Sequence, residues 1–205
     1  MDIPKASLIC ALICTQLSLA TAAQADDSRA QAIRLIKADF SAQGIAGVDR
    51  LEEDGLQAVC NRSGNKPPQA IARRLEQDQQ AGIRYPADGK FLGDWRSGEK
   101  IAQSGSGFTW TDPSGVPAGG NCYNCHRLAP QELAFGSLGP ALTGYGKTFG
   151  NTAEVQKYVY GKIYNAKATR LCSVMPRFGH VGALNEQQIK DLVALLLDPA
   201  SPVNK

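Results

Sequence analysis

The stretch that decides the fold is "NCYNCHRLAP", residues 121–130, which places two cysteines and a histidine within five positions, Cys122 to His126. The chain holds only two histidines. C-x-x-C-H is the pattern of covalent haem attachment, in which two thiols add to the porphyrin vinyl groups and the adjacent histidine binds the iron as proximal ligand. We therefore predict one covalently attached haem c on Cys122, Cys125 and His126.

Two other kinds of site use closely spaced cysteines. A thioredoxin-like redox pair is expected beside a βαβ pattern, and none surrounds this motif. A zinc site needs four ligands, and no second C-x-x-C or H-x-x-x-H is present to complete them. Haem attachment is the interpretation that the motif favours.

Length and composition predict a soluble globular protein. The chain has 205 residues, of which 43% are hydrophobic and 20% charged, with a formal net charge of +3. This describes one domain, or one domain with an extension. The sequence pI near 8.5 is mild, and Lys and Arg are scattered, so we expect no nucleic-acid partner.

The first 25 residues predict a secretory signal peptide. Lys5 precedes an apolar run, and Ala23 to Ala25 form an A-x-A cleavage site. Cleavage after Ala25 would leave a periplasmic protein without a membrane segment, although a retained N-terminal anchor is an alternative. Cys10 and Cys14 each follow Ile instead of the small residue that precedes a lipoprotein cysteine, so we expect both to leave with the signal.

The sixth ligand of the iron is predicted from residue counts. Apart from Met1, the chain has a single methionine, Met175, in the polar stretch "CSVMPRFGH". Methionine often fills core gaps, but a Met before Pro in such a loop belongs to no apolar stripe. His180 is the rival ligand. A thioether ligand raises the reduction potential relative to a second histidine, which indicates an electron acceptor and carrier.

Helical periodicity predicts a mainly α protein without strand pairs or internal repeats. We expect two helices in the N-terminal third, with the loop "CNRSGNKPP" (60–68) between them, and three in the rest. The later two are predicted to begin at the capping pairs Asn151/Glu154 and Asn185/Gln188. Each is predicted to have one apolar stripe: Val155, Tyr158, Val159 and Ile163 in the first, and Ile189, Leu192, Val193 and Leu196 in the second. The expected segments are 28–43, about 68–80, 95–105, 151–164 and 185–198.

The stretch "GSLGPALTGYG", 136–146, carries a resemblance to the class I cytochromes c. In that family a Gly-Pro turn presents a carbonyl to the proximal imidazole, and Gly139 and Pro140 match it. The resemblance, which covers about 93–198, implies that the last helix crosses the helix before the motif. It divides the chain into a signal peptide (1–25), a helical extension (26–92) and a cytochrome c domain (93–205).

Two further blocks, "GDWRSGEKIAQSG" and "MPRFG", resemble the SoxX family, the monohaem subunits of SoxXA complexes. The resemblance implies the electron-accepting subunit of an L-cysteine S-thiosulfotransferase, with no catalytic residue in this chain. It implies three partners: a SoxA-like cytochrome subunit with the catalytic haem, a SoxYZ-like carrier and a small soluble cytochrome c. The alternatives are a free-standing periplasmic electron-transfer cytochrome c and a haem sensor with a labile sixth position.

Two cysteines of the predicted mature chain lie outside the motif. Cys60 and Cys172 are an even pair in an oxidising compartment, so a disulfide is favoured. It would close a loop of about 110 residues and stabilise by at most about 4–5 kcal/mol. The alternative is a reactive thiolate that carries sulfur.

Basic residues are frequent in the second half of the chain. Most are expected to be ordinary surface residues. Arg177 is the best candidate for pairing with a haem propionate or an acidic partner, because it closely follows Met175. Tyr145 and Trp110 are candidate propionate donors or haem-wall residues, and the sequence does not decide between these roles.

Overall fold

The computed structural model describes residues 28–205, and the predicted mainly α class is confirmed. The described part of the chain contains helices and irregular segments but no strand, and its one isolated bridge pairs Gln43 with Ala46. The predicted signal peptide, with Cys10, Cys14 and the cleavage site after Ala25, lies outside the described residues. The chain divides after Glu52 into two compact units.

In the described part of the first unit, residues 28–39 are helical and are called α1. The helix ends four residues before the predicted end at residue 43, because the chain turns at Gly44, whose φ is 52°. Gln43 and Ala46 exchange backbone hydrogen bonds of 3.0 and 2.8 Å across this turn. A 3₁₀ turn, Val48–Leu51, follows.

The second unit, Glu53–Lys205, contains six further helices. They are α2 (Gly55–Arg62), α3 (Gln69–Ala81), α4 (Trp95–Gln103), α5 (Tyr145–Phe149), α6 (Ala153–Tyr164) and α7 (Glu186–Leu197). Short 3₁₀ turns cover Cys122–Asn124, Ala166–Ala168 and Pro202–Asn204. Residues on both sides of the predicted boundary at 92/93 belong to this unit, and the division into an extension and a cytochrome c domain stays a prediction.

The main core is built around the crossing of α4 and α7. A Cβ at Gly98 would lie only 2.2 Å from the backbone oxygen of Asp191, so the two helices touch at their backbones. Asp191 is itself buried, and its carboxylate accepts hydrogen bonds from the Asp94 N–H and from Gln187. The predicted apolar stripe of α7 is confirmed, since Ile189, Leu192, Val193 and Leu196 are all buried.

Helix α6 differs from the prediction in two ways. Its N-cap is Thr152, whose hydroxyl accepts from the Val155 N–H, whereas Asn151 bonds the Gln156 side chain. Tyr158, which was expected on the buried stripe, is 52% exposed. Tyr160 is buried instead, and its hydroxyl donates to the carbonyl of Arg84 at 3.2 Å.

Helix α2 was not predicted, and its last three residues were assigned to the loop 60–68. Asp54 caps it: the carboxylate accepts from the Gln57 N–H at 2.7 Å while the Gln57 side chain accepts from the Asp54 N–H at 2.8 Å. These two reciprocal hydrogen bonds form a capping box in which aspartate takes the place of the usual Ser or Thr. Leu56 and Cys60 of α2 form a second, small core cluster with Leu171.

Within the Gly- and Ser-rich stretch 104–121, one carboxylate accepts hydrogen bonds from three consecutive backbone N–H groups. Asp112 accepts from the N–H groups of Gly107, Phe108 and Thr109 at 2.8–3.1 Å. These bonds, led by the one from Thr109, hold the pKa of Asp112 below its ordinary value. The loop that leads into the C-x-x-C-H motif is thereby ordered by its own side chain.

Candidate functional site

Residues 121–126 form one tight turn. The carbonyl of Cys122 accepts from the N–H groups of Cys125 at 3.1 Å and His126 at 2.9 Å. Asn121 enters the turn in the left-handed conformation, with φ 45°, a region that Asn tolerates better than most residues. The turn presents both thiols and the imidazole from a single short segment.

The segment 136–142 lies along this turn and is bonded to it at three places. The N–H groups of Gly136, Gly139 and Leu142 donate to the carbonyls of Tyr123, Cys125 and Arg127, at 2.8, 2.8 and 2.7 Å. These bonds fix the register of the Gly139–Pro140 turn against the motif. The two segments therefore act as one structural element.

The His126 ring is oriented by Pro140 and Gly139. The carbonyl oxygen of Pro140 lies 2.7 Å from Nδ1 of His126. A carbonyl can only accept, so Nδ1 carries the proton and Nε2 keeps its lone pair for another partner. A Cβ at Gly139 would lie 2.1 Å from Cε1 of the ring, so only glycine allows the backbone to pass this close.

The two thiols of the motif are free and half-buried. Burial raises the pKa of the Cys122 thiol to about 12. Redox-active C-x-x-C pairs instead have a lowered thiol pKa, so this environment does not favour dithiol redox chemistry. Among the described residues, no group of three or more His, Cys, Asp or Glu side chains is arranged to hold a metal ion.

Met175 is half-buried and packs against the main core cluster. Tyr123 and Leu128, on either side of His126 in the sequence, belong to that same cluster. The Met175 N–H donates to the Ser173 hydroxyl at 3.2 Å. His180, the rival ligand, is exposed, and its backbone N–H donates to the Tyr164 carbonyl at 3.0 Å.

The segment that carries Met175 is attached to α2. Cys172 forms a disulfide with Cys60, with the Cα atoms 5.6 Å apart, which is the pairing expected from the sequence. Arg177 forms an ion pair with Asp54. The sequence offered no signal for this second contact, because α2 itself was missed and the partners are far apart in the chain.

The remaining candidate residues, Arg177, Tyr145 and Trp110, differ in burial and in their contacts. Arg177 has Asp54 as its partner, and no bound group is needed to balance its charge. Tyr145 is half-buried against the main core, and it lines an apolar depression between α5 and α6 with Phe149, Val155 and Tyr158. Trp110 is 60% exposed. The structure does not bring these three residues together in one contact cluster.

Large apolar side chains are exposed close in sequence to the predicted ligands. Leu138 is 76% exposed two residues before Pro140, and Val174 is 81% exposed next to Met175. These two exposed apolar residues thus lie on the two segments that carry Pro140 and Met175.

A search of protein families finds no family model that matches this chain. A relative from Aquifex aeolicus (strain VF5), described as an uncharacterized lipoprotein, is 37% identical over 155 residues, which are 75% of this chain and 73% of the relative. The chain belongs to the family of this Aquifex lipoprotein.

Among solved structures, the chain is similar to one in the crystal structure of SoxXA from P. pantotrophus. The two are 24% identical, with a TM-score of 0.40, and the alignment covers 57% of this chain and 89% of the SoxXA chain. Within residues 28–205, no helix is both long and apolar enough to cross a membrane.

Proposed function

We propose that this chain is a monohaem c-type cytochrome that serves as the electron-accepting subunit of a SoxXA-like L-cysteine S-thiosulfotransferase. The observation that supports the haem assignment most strongly is the docking of 136–142 on the C-x-x-C-H turn, with the Pro140 carbonyl on Nδ1 of His126. An imidazole held in this way offers Nε2 to a metal and is made a stronger donor by the carbonyl.

The residues present fit a covalently attached haem c. Cys122 and Cys125 are free thiols on one turn with His126, and the segments of Pro140 and Met175 carry the exposed apolar residues Leu138 and Val174, which would suit a porphyrin. The thiols would form the two thioether bonds, His126 would bind from the proximal side, and Met175 from the distal side. When bound, haem supplies a one-electron redox centre whose potential is raised by a methionine ligand.

The sulfur chemistry follows from the SoxX resemblance. A carrier cysteine thiolate and the terminal sulfur of thiosulfate form one S–S bond, and two electrons are released. This subunit would accept the electrons one at a time and pass each to a small cytochrome c, while the sulfur substrates bind on the SoxA-like partner. With both His126 and Met175 as ligands, the iron would have no open position for substrate in this chain. The second candidate is a free-standing electron-transfer cytochrome, which the same haem site would also serve.

Export is part of the proposal. A signal peptide over 1–25 would deliver the chain to the periplasm, where disulfides persist, and the Cys60–Cys172 bond suits that compartment. The relative from Aquifex aeolicus is described as a lipoprotein, which also implies export for that protein. The mass of the mature chain tests whether the signal is cleaved or the chain is lipid-modified. A mass that corresponds to a free N-terminus at Asp26 supports cleavage after Ala25, whereas the mass of a chain with an acylated N-terminal cysteine contradicts it.

The haem assignment is tested by producing the chain with its signal in a bacterium that matures c-type cytochromes. We expect the mature chain to gain the mass of one haem and to keep haem stain in a denaturing gel. The double variant Cys122→Ala/Cys125→Ala should lose the covalent haem. Wild-type protein that carries no haem under these conditions would refute the assignment.

The ligand assignment is tested with Met175→Leu and His180→Ala. Met175→Leu should abolish the methionine-to-iron charge-transfer band of the oxidised protein and lower its reduction midpoint, whereas His180→Ala should change neither. If the effects are reversed, His180 is the ligand.

The enzyme role is tested by gel filtration of the native periplasmic protein. Co-elution with a second cytochrome, together with haem reduction that requires thiosulfate and a carrier protein, supports the proposal. A monomer that only exchanges electrons with other redox proteins supports the free-standing carrier.

A further inference from the structure

The segment that bears Met175 is held at both ends. Leu171 and Phe178 are buried at its two limits, 5% and 8% exposed, in the small and the main core cluster respectively. Between these limits only Val174, which is 81% exposed, and Pro176 are exposed, and the other residues are partly buried. Met175 therefore lies on a short span, residues 171–178, whose position depends on the contacts made before and after Met175.

The first attachment precedes Met175. Cys172 is bonded to Cys60, and Leu171 packs with Leu56 and Cys60 of α2. A covalent bond three residues before Met175 fixes where the span begins. It does not fix the span's far end.

The second attachment follows Met175 by two residues. Arg177 donates to the carboxylate of Asp54, the residue that caps α2. The Arg177 side chain is only 10% exposed, and the buried Lys167 adds a second positive charge that interacts electrostatically with both residues. Asp54 is thus the counter-charge for a nearly buried cation next to another cation.

We propose that Asp54 and Arg177 are positioning residues that hold the Met175 thioether at the sixth coordination position. This inference rests on the proposed function. Without the Asp54 charge, Arg177 would be buried beside Lys167 without compensation, an arrangement that strongly favours movement of the guanidinium toward water. The span ending at Arg177 would move with it, and Met175 would leave the iron more often.

An added ligand measures how often Met175 leaves. Imidazole can bind oxidised iron only when the thioether is absent, so its apparent affinity is proportional to the population of the open state. Loss of a charged hydrogen bond of about 1.4 kcal/mol corresponds to a tenfold change in that population. The titration therefore reports ligand positioning, which a stability measurement alone does not.

The test variant is Asp54→Asn in the haem-loaded protein. Asparagine caps a helix about as well as aspartate, so α2 keeps its cap while the ion pair is lost. We expect imidazole to bind about tenfold more tightly to the variant than to the wild type, and the methionine charge-transfer band to weaken. Glu52→Gln is the matched control, because it removes the Lys37–Glu52 ion pair in the other unit and should leave imidazole affinity unchanged.

A second variant distinguishes a specific effect on the position of Met175 from a general loss of stability. Arg177→Lys keeps the charge but loses the planar fork of donors, so its imidazole affinity should lie between those of the wild type and Asp54→Asn. The inference is overturned if Asp54→Asn lowers the unfolding free energy but leaves imidazole affinity at the wild-type value. A wild type without the charge-transfer band would overturn the Met175 assignment itself, which separates the two failures.

Discussion

Gly139 is the residue on which the orientation of the His126 ring depends most directly. The backbone at this position passes so close to the imidazole that a Cβ would lie 2.1 Å from Cε1 and 2.5 Å from Nδ1. The neighbouring carbonyl of Pro140 then reaches Nδ1 at 2.7 Å. One missing methyl group is thus what permits the hydrogen bond that sets the ring.

We predict that Gly139→Ala destabilises the protein by about 1–3 kcal/mol, the usual cost of forcing a methyl group into a filled site. The displaced ring should lose its bond to Pro140 and become a weaker donor, so the reduction midpoint of the haem protein should rise. Urea unfolding and a redox titration measure the two effects. Ser137→Ala, at an exposed position of the same segment, is the control, and equal behaviour of the two variants would contradict the prediction.

Asp54 gives a prediction for acid pH. Partial burial raises the pKa of this carboxyl, but the Gln57 N–H and the Arg177 guanidinium outweigh burial and hold the pKa below its ordinary value. A depressed folded pKa stabilises above the unfolded pKa of about 3.9, and this stabilisation is lost as the pH falls through the folded value. Wild-type stability should therefore fall more between pH 6 and about pH 3 than that of Asp54→Asn.

Urea unfolding of both proteins across this pH range makes the comparison. Glu52→Gln again serves as the control, because Glu52 is not among the groups that shift the pKa of Asp54, so the contribution of Asp54 should persist in that variant. Parallel profiles for the wild type and Asp54→Asn would show that the carboxylate contributes nothing that protonation removes.

Some of this residue-scale detail could be predicted and some could not. Cys122, Cys125, His126 and Pro140 lie within one short stretch, so their relation is encoded in local spacing. The Asp54–Arg177 pair joins residues 123 positions apart, and no local pattern marks an aspartate as the partner of a distant arginine. Pairs of this kind are visible only once the helices have been placed.

At the scale of elements, α4 and α7 cross with their backbones in direct contact at Gly98 and Asp191. A Cβ at Gly98 would lie 2.2 Å from the Asp191 oxygen, 2.7 Å from its carbonyl carbon and 3.0 Å from the Leu195 Cβ. Two of these three atoms are backbone, which cannot rotate out of the way. The helices would have to separate to accept any side chain.

We predict that Gly98→Ala lowers the unfolding free energy by about 1–3 kcal/mol despite the better helix propensity of alanine. Gly55→Ala is the matched control: Gly55 is also helical, and nothing lies within 4 Å of a Cβ built there. That change should be neutral or stabilising. Denaturant unfolding of the two variants gives the comparison, and a Gly98→Ala protein as stable as Gly55→Ala would refute it.

The helices were predictable to different degrees. α7 has both a capping box and a regular apolar stripe, and the structure has both. In α6 three large side chains, Tyr158, Val159 and Tyr160, are adjacent in sequence, so the pattern could not say which would be buried. α2 has only eight residues, too few for a clear periodic stripe, so it was not predicted, although its Asp54/Gln57 capping box is present in the sequence.

At the scale of the whole molecule, the Cys60–Cys172 bond joins α2 to the Met175 segment across 112 positions. Its pairing was predictable by counting, because these two cysteines were left once the signal peptide and the C-x-x-C-H motif were set aside. What counting could not predict is its setting, between Leu56 and Leu171 in a separate small core.

We predict that the double variant Cys60→Ala/Cys172→Ala is less stable than the wild type by about 2–5 kcal/mol, because the bond constrains a long loop in the unfolded chain. Thermal unfolding with and without dithiothreitol measures this. The reductant should lower the midpoint of the wild type and leave that of the variant unchanged. A wild type that is indifferent to reduction would argue against a stabilising bond.

The separate settings of the four cysteines have a consequence for how the chain matures. Four thiols can pair in three ways, and a bond between Cys122 and Cys125 would consume both groups that a porphyrin needs. Cys60 and Cys172 meet beside Leu56 and Leu171, whereas burial keeps the Cys122 thiol protonated and slow to attack a disulfide. Under the proposed function, this separation would let Cys60 and Cys172 pair with each other while Cys122 and Cys125 stay reduced for haem attachment.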